Sequence, residues 1–155
     1  MADAQHVQQL ISEVGPLDDA ILEVVQTGDD SFALRYEHVD VELEIDAEGG
    51  RLMLSTEIGE PPLAQRLSIY QSLLTYSLLW RETGGVRMAL EGPRGAAIQM
   101  TDLTFTELTP TLLATVAANL ASRTLTWRAF FASDTAGTAD ARVDPLAELG
   151  MGIRV

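Results

Sequence analysis

"VDVELEIDAEGGRLMLSTEI", residues 39–58, alternates apolar and polar side chains on both sides of a short interruption. Val39, Val41, Leu43 and Ile45 are interleaved with Asp40, Glu42, Glu44 and Asp46, the pattern of a strand with one face buried and the other in water. "AEGG" supplies turn residues and residues 52–58 continue as a strand, so the two halves are predicted to pair as a β-hairpin. Upstream, "SFALRY" sets Phe32, Leu34 and Tyr36 on alternate positions and reads as another half-buried strand.

Further toward the N-terminus, "LDDAILEVVQTGDD" stays open between a strand and a helical turn, since Ile21, Leu22, Val24 and Val25 suit either. Before it, Val7, Leu10, Ile11 and Val14 recur at spacings of three and four, which predicts a short amphipathic helix stopped by Gly15 and Pro16.

Downstream of the hairpin, "GEPP" breaks the pattern, and "SIYQSLLTYSLLWRETGG", residues 68–85, falls in a helix predicted to start after Pro62 and reach about Thr83. Gly84 and Gly85 then offer the left-handed conformation that closes many helices. A second hairpin follows, with Val86, Met88 and Leu90 before a turn at residues 92–95, and Ile98 and Met100 after it. The last helix opens with Thr109 as N-cap and Pro110 at the first helical position. Leu112, Leu113, Val116, Leu120, Trp127, Phe130 and Phe131 are predicted to form its single core-facing stripe.

The fold class is therefore α+β: a twisted antiparallel five-stranded sheet with three helices, in the order α-β-β-β-α-β-β-α. One domain is expected over residues 1–132. Residues 133–155, rich in Ala, Gly, Thr and Asp, are expected to be a loosely ordered tail that Leu146, Leu149 and Met151 can dock.

The chain has 155 residues, enough for one core, and a formal net charge of −13 with a pI near 4.3. Every basic residue is an arginine and none lies in a run, so phosphate backbones and anionic membrane surfaces repel the chain. Nucleic-acid binding and membrane insertion are thus not expected. There is no cysteine for disulfide or thiol chemistry, and "MADAQHVQQLISEVG" lacks the basic head and apolar centre of a signal peptide. A cytoplasmic protein is the expectation.

The middle helix has more apolar surface than one sheet requires. At 100° per residue, Leu67, Tyr70, Leu74 and Leu78 gather on one side and Ile69, Leu73, Tyr76 and Trp80 on a neighbouring side, together covering roughly 200°, about twice the usual arc. One stripe faces the chain's own sheet; the other must be covered by the tail or by a second copy. Large exposed apolar patches are rare on monomers, and a symmetric dimer is the commonest oligomer, which favours the second copy.

The order of these elements and several of their local strings resemble the class I type III secretion chaperones of the Tir chaperone (CesT) family. Ser31, Phe32 and Ala33 match its "SFA" strand; Glu82, Thr83, Gly84 and Gly85 match the end of its apolar helix; Thr109 and Pro110 match the opening of its last helix. The resemblance covers about residues 4–131. Ser77 stands where members often carry an asparagine, and the tail differs from theirs.

The resemblance implies a homodimer without cofactor or catalytic activity, which binds the extended N-terminal segment of a secreted effector and keeps it soluble and export-competent. It places the dimer seam on Ile69, Leu73, Trp80 and Met88. It places effector contacts at Leu10, Val14, Phe32, Leu34 and Tyr36. The physics supports such a role independently, because an extended peptide can add as a strand to a free sheet edge, with backbone hydrogen bonds for affinity and alternating pockets for selectivity.

Motifs for other chemistry are weak. Asp40, Glu42, Glu44 and Asp46 line one strand face without a chelating loop, and read as a solvated face. His6 and His38 have no catalytic companion motif, and "EGPRG" lacks the lysine and spacing of a phosphate loop. Trp80, Trp127, Phe130 and Phe131 fit core or interface packing better than a ligand pocket. The alternatives are a small α+β ligand-binding domain or enzyme with a site invisible in sequence, and a regulatory adaptor on the same fold.

Overall fold

A computed structural model describes residues 3–93 and 95–133. The expected tail, with Leu146, Leu149 and Met151, lies outside the described residues. The elements are helix α1 (Ala4–Ser12), strands β1 (Glu23–Gln26), β2 (Ser31–Arg35), β3 (Asp40–Asp46) and β4 (Arg51–Gly59), helix α2 (Arg66–Leu78), strands β5 (Arg87–Leu90) and β6 (Ala97–Thr104), and helix α3 (Pro110–Phe131).

The sheet runs β1-β2-β3-β4-β6-β5, and the pairs β1–β2, β2–β3, β3–β4 and β5–β6 are antiparallel. The sheet therefore has six strands where five were expected, and β1 is the addition. Its segment offers only two half-buried apolar residues, Val24 and Val25, so no alternation announces it. Pairing with β2 settles it: Val24 lies opposite Leu34 and Val25 opposite Ala33.

The chain divides into two compact units. Among the described residues, the first holds those up to Thr56 and Thr101–Ser122, and the second takes those between Glu57 and Met100 and from Arg123 to Ser133, so β4, β6 and α3 contribute to both.

In the first unit the 39–58 hairpin forms in the expected register, with Leu43 opposite Leu54 and Ile45 opposite Leu52. Along β3, Val41, Leu43 and Ile45 are buried and the four acidic residues exposed. Gly50 takes a positive φ of 62° in the turn, which favours glycine there. Helix α1 packs on β3 and buries Val7, Leu10 and Ile11, and Val14 beyond its end is buried as well. Asp3 caps α1 by accepting from the His6 backbone N–H at 2.9 Å. Arg51 pairs with Asp102 at 3.0 Å, and Phe105 N–H donates to the Gly50 carbonyl at 2.9 Å, tying β4 to β6.

In the second unit, Trp127 is fully buried and meets Tyr76, Phe130 and Phe131 edge to face, with centroids 5.2, 5.7 and 6.4 Å away. Arg128 donates to the backbone carbonyls of Ile58 at 3.1 Å and Glu57 at 2.7 Å, clamping α3 to the end of β4. Gln99 on β6 is buried and donates to Thr124 of α3 at 3.0 Å.

Helix α3 begins as expected, with the Leu112 N–H donating to Thr109 Oγ1 at 3.1 Å. Its buried line, however, is Leu113, Ala117, Leu120, Thr124, Trp127 and Phe131. Leu112, Val116 and Phe130, predicted for that stripe, are half-exposed at its margins. The small Ala117 and the polar Thr124 take central places that hydrophobicity alone does not assign.

Helix α2 also differs from expectation. A 3-10 turn at Leu63–Gln65 precedes it, and it ends at Leu78 rather than near Thr83. Beyond it the Thr83 hydroxyl turns inward onto the Val86 carbonyl at 3.3 Å, while Arg123 takes the Thr83 carbonyl at 2.9 Å. These tethers hold the last residues in successive turns. Gly84 and Gly85, with φ of 72° and 83°, do adopt the left-handed conformation, but they close those turns rather than the helix itself.

Candidate functional site

Two surfaces follow from this arrangement, one in each unit. In the second unit α2 uses only one of its two apolar stripes. Ile69, Leu73 and Tyr76 are buried, whereas Leu67, Leu74 and Leu78 are 73%, 71% and 78% exposed. Trp80, just beyond the helix, is 51% exposed and lies under the Arg81 guanidinium, which sits 5.1 Å from the ring centre. Leu63, Leu67, Tyr70, Leu74 and Leu78 follow one another at spacings of three and four, as in the seam of two packed helices.

Beside this seam lies a shallow apolar groove of about 310 Å³, lined by Tyr70, Leu73 and Leu74 of α2 and Met88, Ala89 and Leu90 of β5. The buried Tyr70 hydroxyl has no hydrogen-bond partner there. Ser77 reaches across from α2, its Oγ accepting the Met88 backbone N–H at 2.9 Å.

The seam residues expected from sequence therefore separate. Trp80 and the half-buried Met88 reach the surface, whereas Ile69 and Leu73 belong to the interior of the chain's own unit. Leu67, Leu74 and Leu78 take their place on the outside. Both stripes were visible in the sequence, but their periodicity is the same, so it does not say which one meets the sheet.

In the first unit, Leu10, Val14, Phe32 and Leu34, named as effector contacts, are buried in the core, and only Tyr36 among that set is half-buried. Burial pushes the Tyr36 phenol well above its ordinary pKa, and the Asp18 carboxylate adds to the shift. Its hydroxyl is enclosed without a hydrogen-bond partner. The apolar surface of this region comes instead from Leu17, 53% exposed, and Leu22, 68% exposed, beside the half-buried Val24 and Val25 of β1. Sequence reading missed these because they occupy the segment it left unassigned.

Strand β1 is an edge of the sheet. Thr27 N–H donates to the Ser31 carbonyl at 2.9 Å, and Val25 and Glu23 pair with Ala33 and Arg35. Every second residue of an antiparallel ladder turns toward its partner, so Val24 and Gln26 present their N–H and C=O groups outward.

His6 and His38 are exposed, the latter 3.8 Å from the Glu37 carboxylate. Among the described residues no group of three or more His, Asp or Glu side chains is placed to hold a metal ion, and no helix is long and apolar enough to cross a membrane. The raised Tyr76 phenol is explained by burial, partly offset by the charge and hydrogen bond of Arg123, and serves packing.

An exposed apolar helix stripe and an open sheet edge thus stand on an α+β frame. Solved structures share the frame. A chain of the ExsC–ExsE complex superposes with a TM-score of 0.70 at 17% identity, covering 84% of this chain and 97% of that one. A chain of the HopA1–SchA chaperone–effector complex gives 0.65 at 18% identity, over 81% and 95%. The Yersinia pestis type III secretion chaperone SycH, in complex with a stable fragment of YscM2, is the subject of a third structure, one chain of which gives 0.52 at 19%, over 77% and 97%. Among curated proteins, no sequence matches. The Tir chaperone protein (CesT) family model matches residues 21–128, and the chain belongs to that family.

Proposed function

We propose that this protein is a type III secretion chaperone that acts as a homodimer, binding the extended N-terminal segment of a secreted effector in the cytoplasm and holding it in an export-competent form. Membership of the Tir chaperone family carries this reading. The exposed line of Leu67, Leu74, Leu78 and Trp80 supports the dimer, since a stripe of this kind is seldom left bare and a matching helix from a second copy covers it symmetrically. Met88 and Leu90 extend the seam along the groove.

For the effector, Leu17, Leu22, Val24, Val25 and Tyr36 provide apolar surface near the β1 edge, and Leu10, Val14, Phe32 and Leu34 lie buried in the same unit. Holding a guest extended requires a long contact, because ordering the guest consumes part of the interaction energy. The role needs no bond-making chemistry.

The test is affinity capture of the tagged full chain from its host's lysate, followed by light proteolysis and mass spectrometry. Recovery of one secreted protein's N-terminal segment, shielded while the rest is digested, is the expected result. Recovery of an intact folded partner refutes the reading in favour of a regulatory adaptor.

A further inference from the structure

We propose that the charge of this chain works as an ionic-strength switch confined to the first unit and centred on β3: dissolved salt sets how firmly that unit holds together, while the second unit is indifferent to it. The inference goes beyond the chaperone reading and does not rest on it.

The two units differ in the charge they carry. Among the described residues the first has fifteen Asp and Glu side chains against two arginines, Arg35 and Arg51, and the second has four against five. The first unit's share alone equals the net charge of the whole chain, −13. All fifteen carboxylates are exposed except the half-buried Asp18 and Asp102.

Pairing does little to offset this excess. Along the exposed face of β3, Asp40 lies opposite Arg35 of β2 and Asp46 opposite Arg51 of β4. Each arginine is engaged by another carboxylate, Arg35 by Glu23 at 2.9 Å and Arg51 by Asp102 at 3.0 Å. Between them, Glu42 is flanked by Ala33 and Ser55 and Glu44 by Ser31 and Met53, so neither has an opposite charge beside it on the adjoining strands. Side chains on one face of a strand follow one another at about 7 Å, and the row of four therefore repels itself.

Self-repulsion of this kind opposes the compact state. Salt relieves it, because the reach of a charge falls from about 30 Å at 0.01 M to about 8 Å at 0.15 M. The first distance exceeds the length of the seven-residue β3, and the second spans only neighbours in the row. In the second unit the signs nearly balance, which leaves screening little to act on.

The test is amide hydrogen exchange of the full chain, at neutral pH and one protein concentration, in sodium chloride at about 0.01 M and about 0.3 M. Protection at Val41 and Leu43 of β3 is expected to rise at least about tenfold, and at Leu73 and Tyr76 of α2 by less than about twofold. Choline chloride at equal ionic strength should give the same result, because screening does not depend on the chemistry of the cation. Glu42→Gln with Glu44→Gln should raise protection in β3 at low salt and flatten its salt dependence, leaving α2 as it was.

Unchanged protection in β3, an equal rise in both units, or a rise confined to α2 overturns the inference; the last reports association along the helix seam. An effect of sodium chloride that choline chloride does not reproduce overturns it too, since it reports a bound ion. A folded double variant that keeps the parent's salt dependence refutes the placing of the switch on β3, and the parent's own exchange pattern decides the matter if that variant does not fold. Effector capture is a separate measurement, and none of these outcomes alters it.

Discussion

Leu74→Ala tests the outward seam directly. Fully burying a leucine side chain is worth roughly 1.5–3 kcal/mol. Leu74 is 71% exposed in the single chain, so about 1–2 kcal/mol of that remains to be gained on association. In a twofold dimer the substitution acts on both copies, and the expected loss is about 2–4 kcal/mol, or roughly 30- to 1,000-fold in the dimer dissociation constant. Because the side chain is mostly in water in the single chain, the fold itself should change by no more than about 0.5 kcal/mol. Ile69→Ala is the contrasting case: fully buried, it should lower folding stability by about 2–5 kcal/mol through the cavity it leaves. Sedimentation equilibrium over a concentration series, with thermal melting at fixed concentration, separates the two effects. An unchanged dimer constant in Leu74→Ala, or a parent protein that stays monomeric at micromolar concentration, would refute the assignment of this stripe to a second copy.

Tyr36→Phe should leave stability at neutral pH unchanged or raise it by up to about 1 kcal/mol, since it removes an enclosed hydroxyl that has no partner. With a folded pKa above the ordinary value of 10.0, Tyr36 adds no pH dependence below that point; the native state retains its proton longer than the unfolded chain, so stability falls as pH rises above about 10. Denaturant titrations in that range should show a shallower fall for Tyr36→Phe, and identical slopes would contradict the burial. Arg123→Met removes the donor to the Thr83 carbonyl and the Tyr76 hydroxyl, and chemical denaturation should report a loss of about 1–3 kcal/mol. Gly84→Ala places a Cβ at a φ of 72°, with an expected cost of about 1–2 kcal/mol readable from urea midpoints.

Several parts of this protein were legible in the sequence because their signals are local. The alternation in 39–58 reports a strand with one wet face whatever lies beneath it, and the hairpin register then follows from the turn. Thr109 and Pro110 mark the start of α3 because the cap satisfies backbone groups of its own first turn. The family was recognisable from short strings in the right order, each weak alone.

Other features needed the folded chain. The β1 segment becomes a strand by pairing with β2, and α3 centres its buried line on Ala117 and Thr124, which hydropathy does not favour. Leu10, Val14, Phe32 and Leu34 were placed at a binding surface, yet the interior encloses them and leaves Leu17 and Leu22 outside. On α2 the choice between stripes went to Ile69, Leu73 and Tyr76 for the inside and Leu67, Leu74 and Leu78 for the outside. Periodicity records which side chains share a face of their own element; burial depends on what another element brings against that face, which is a long-range property of the fold.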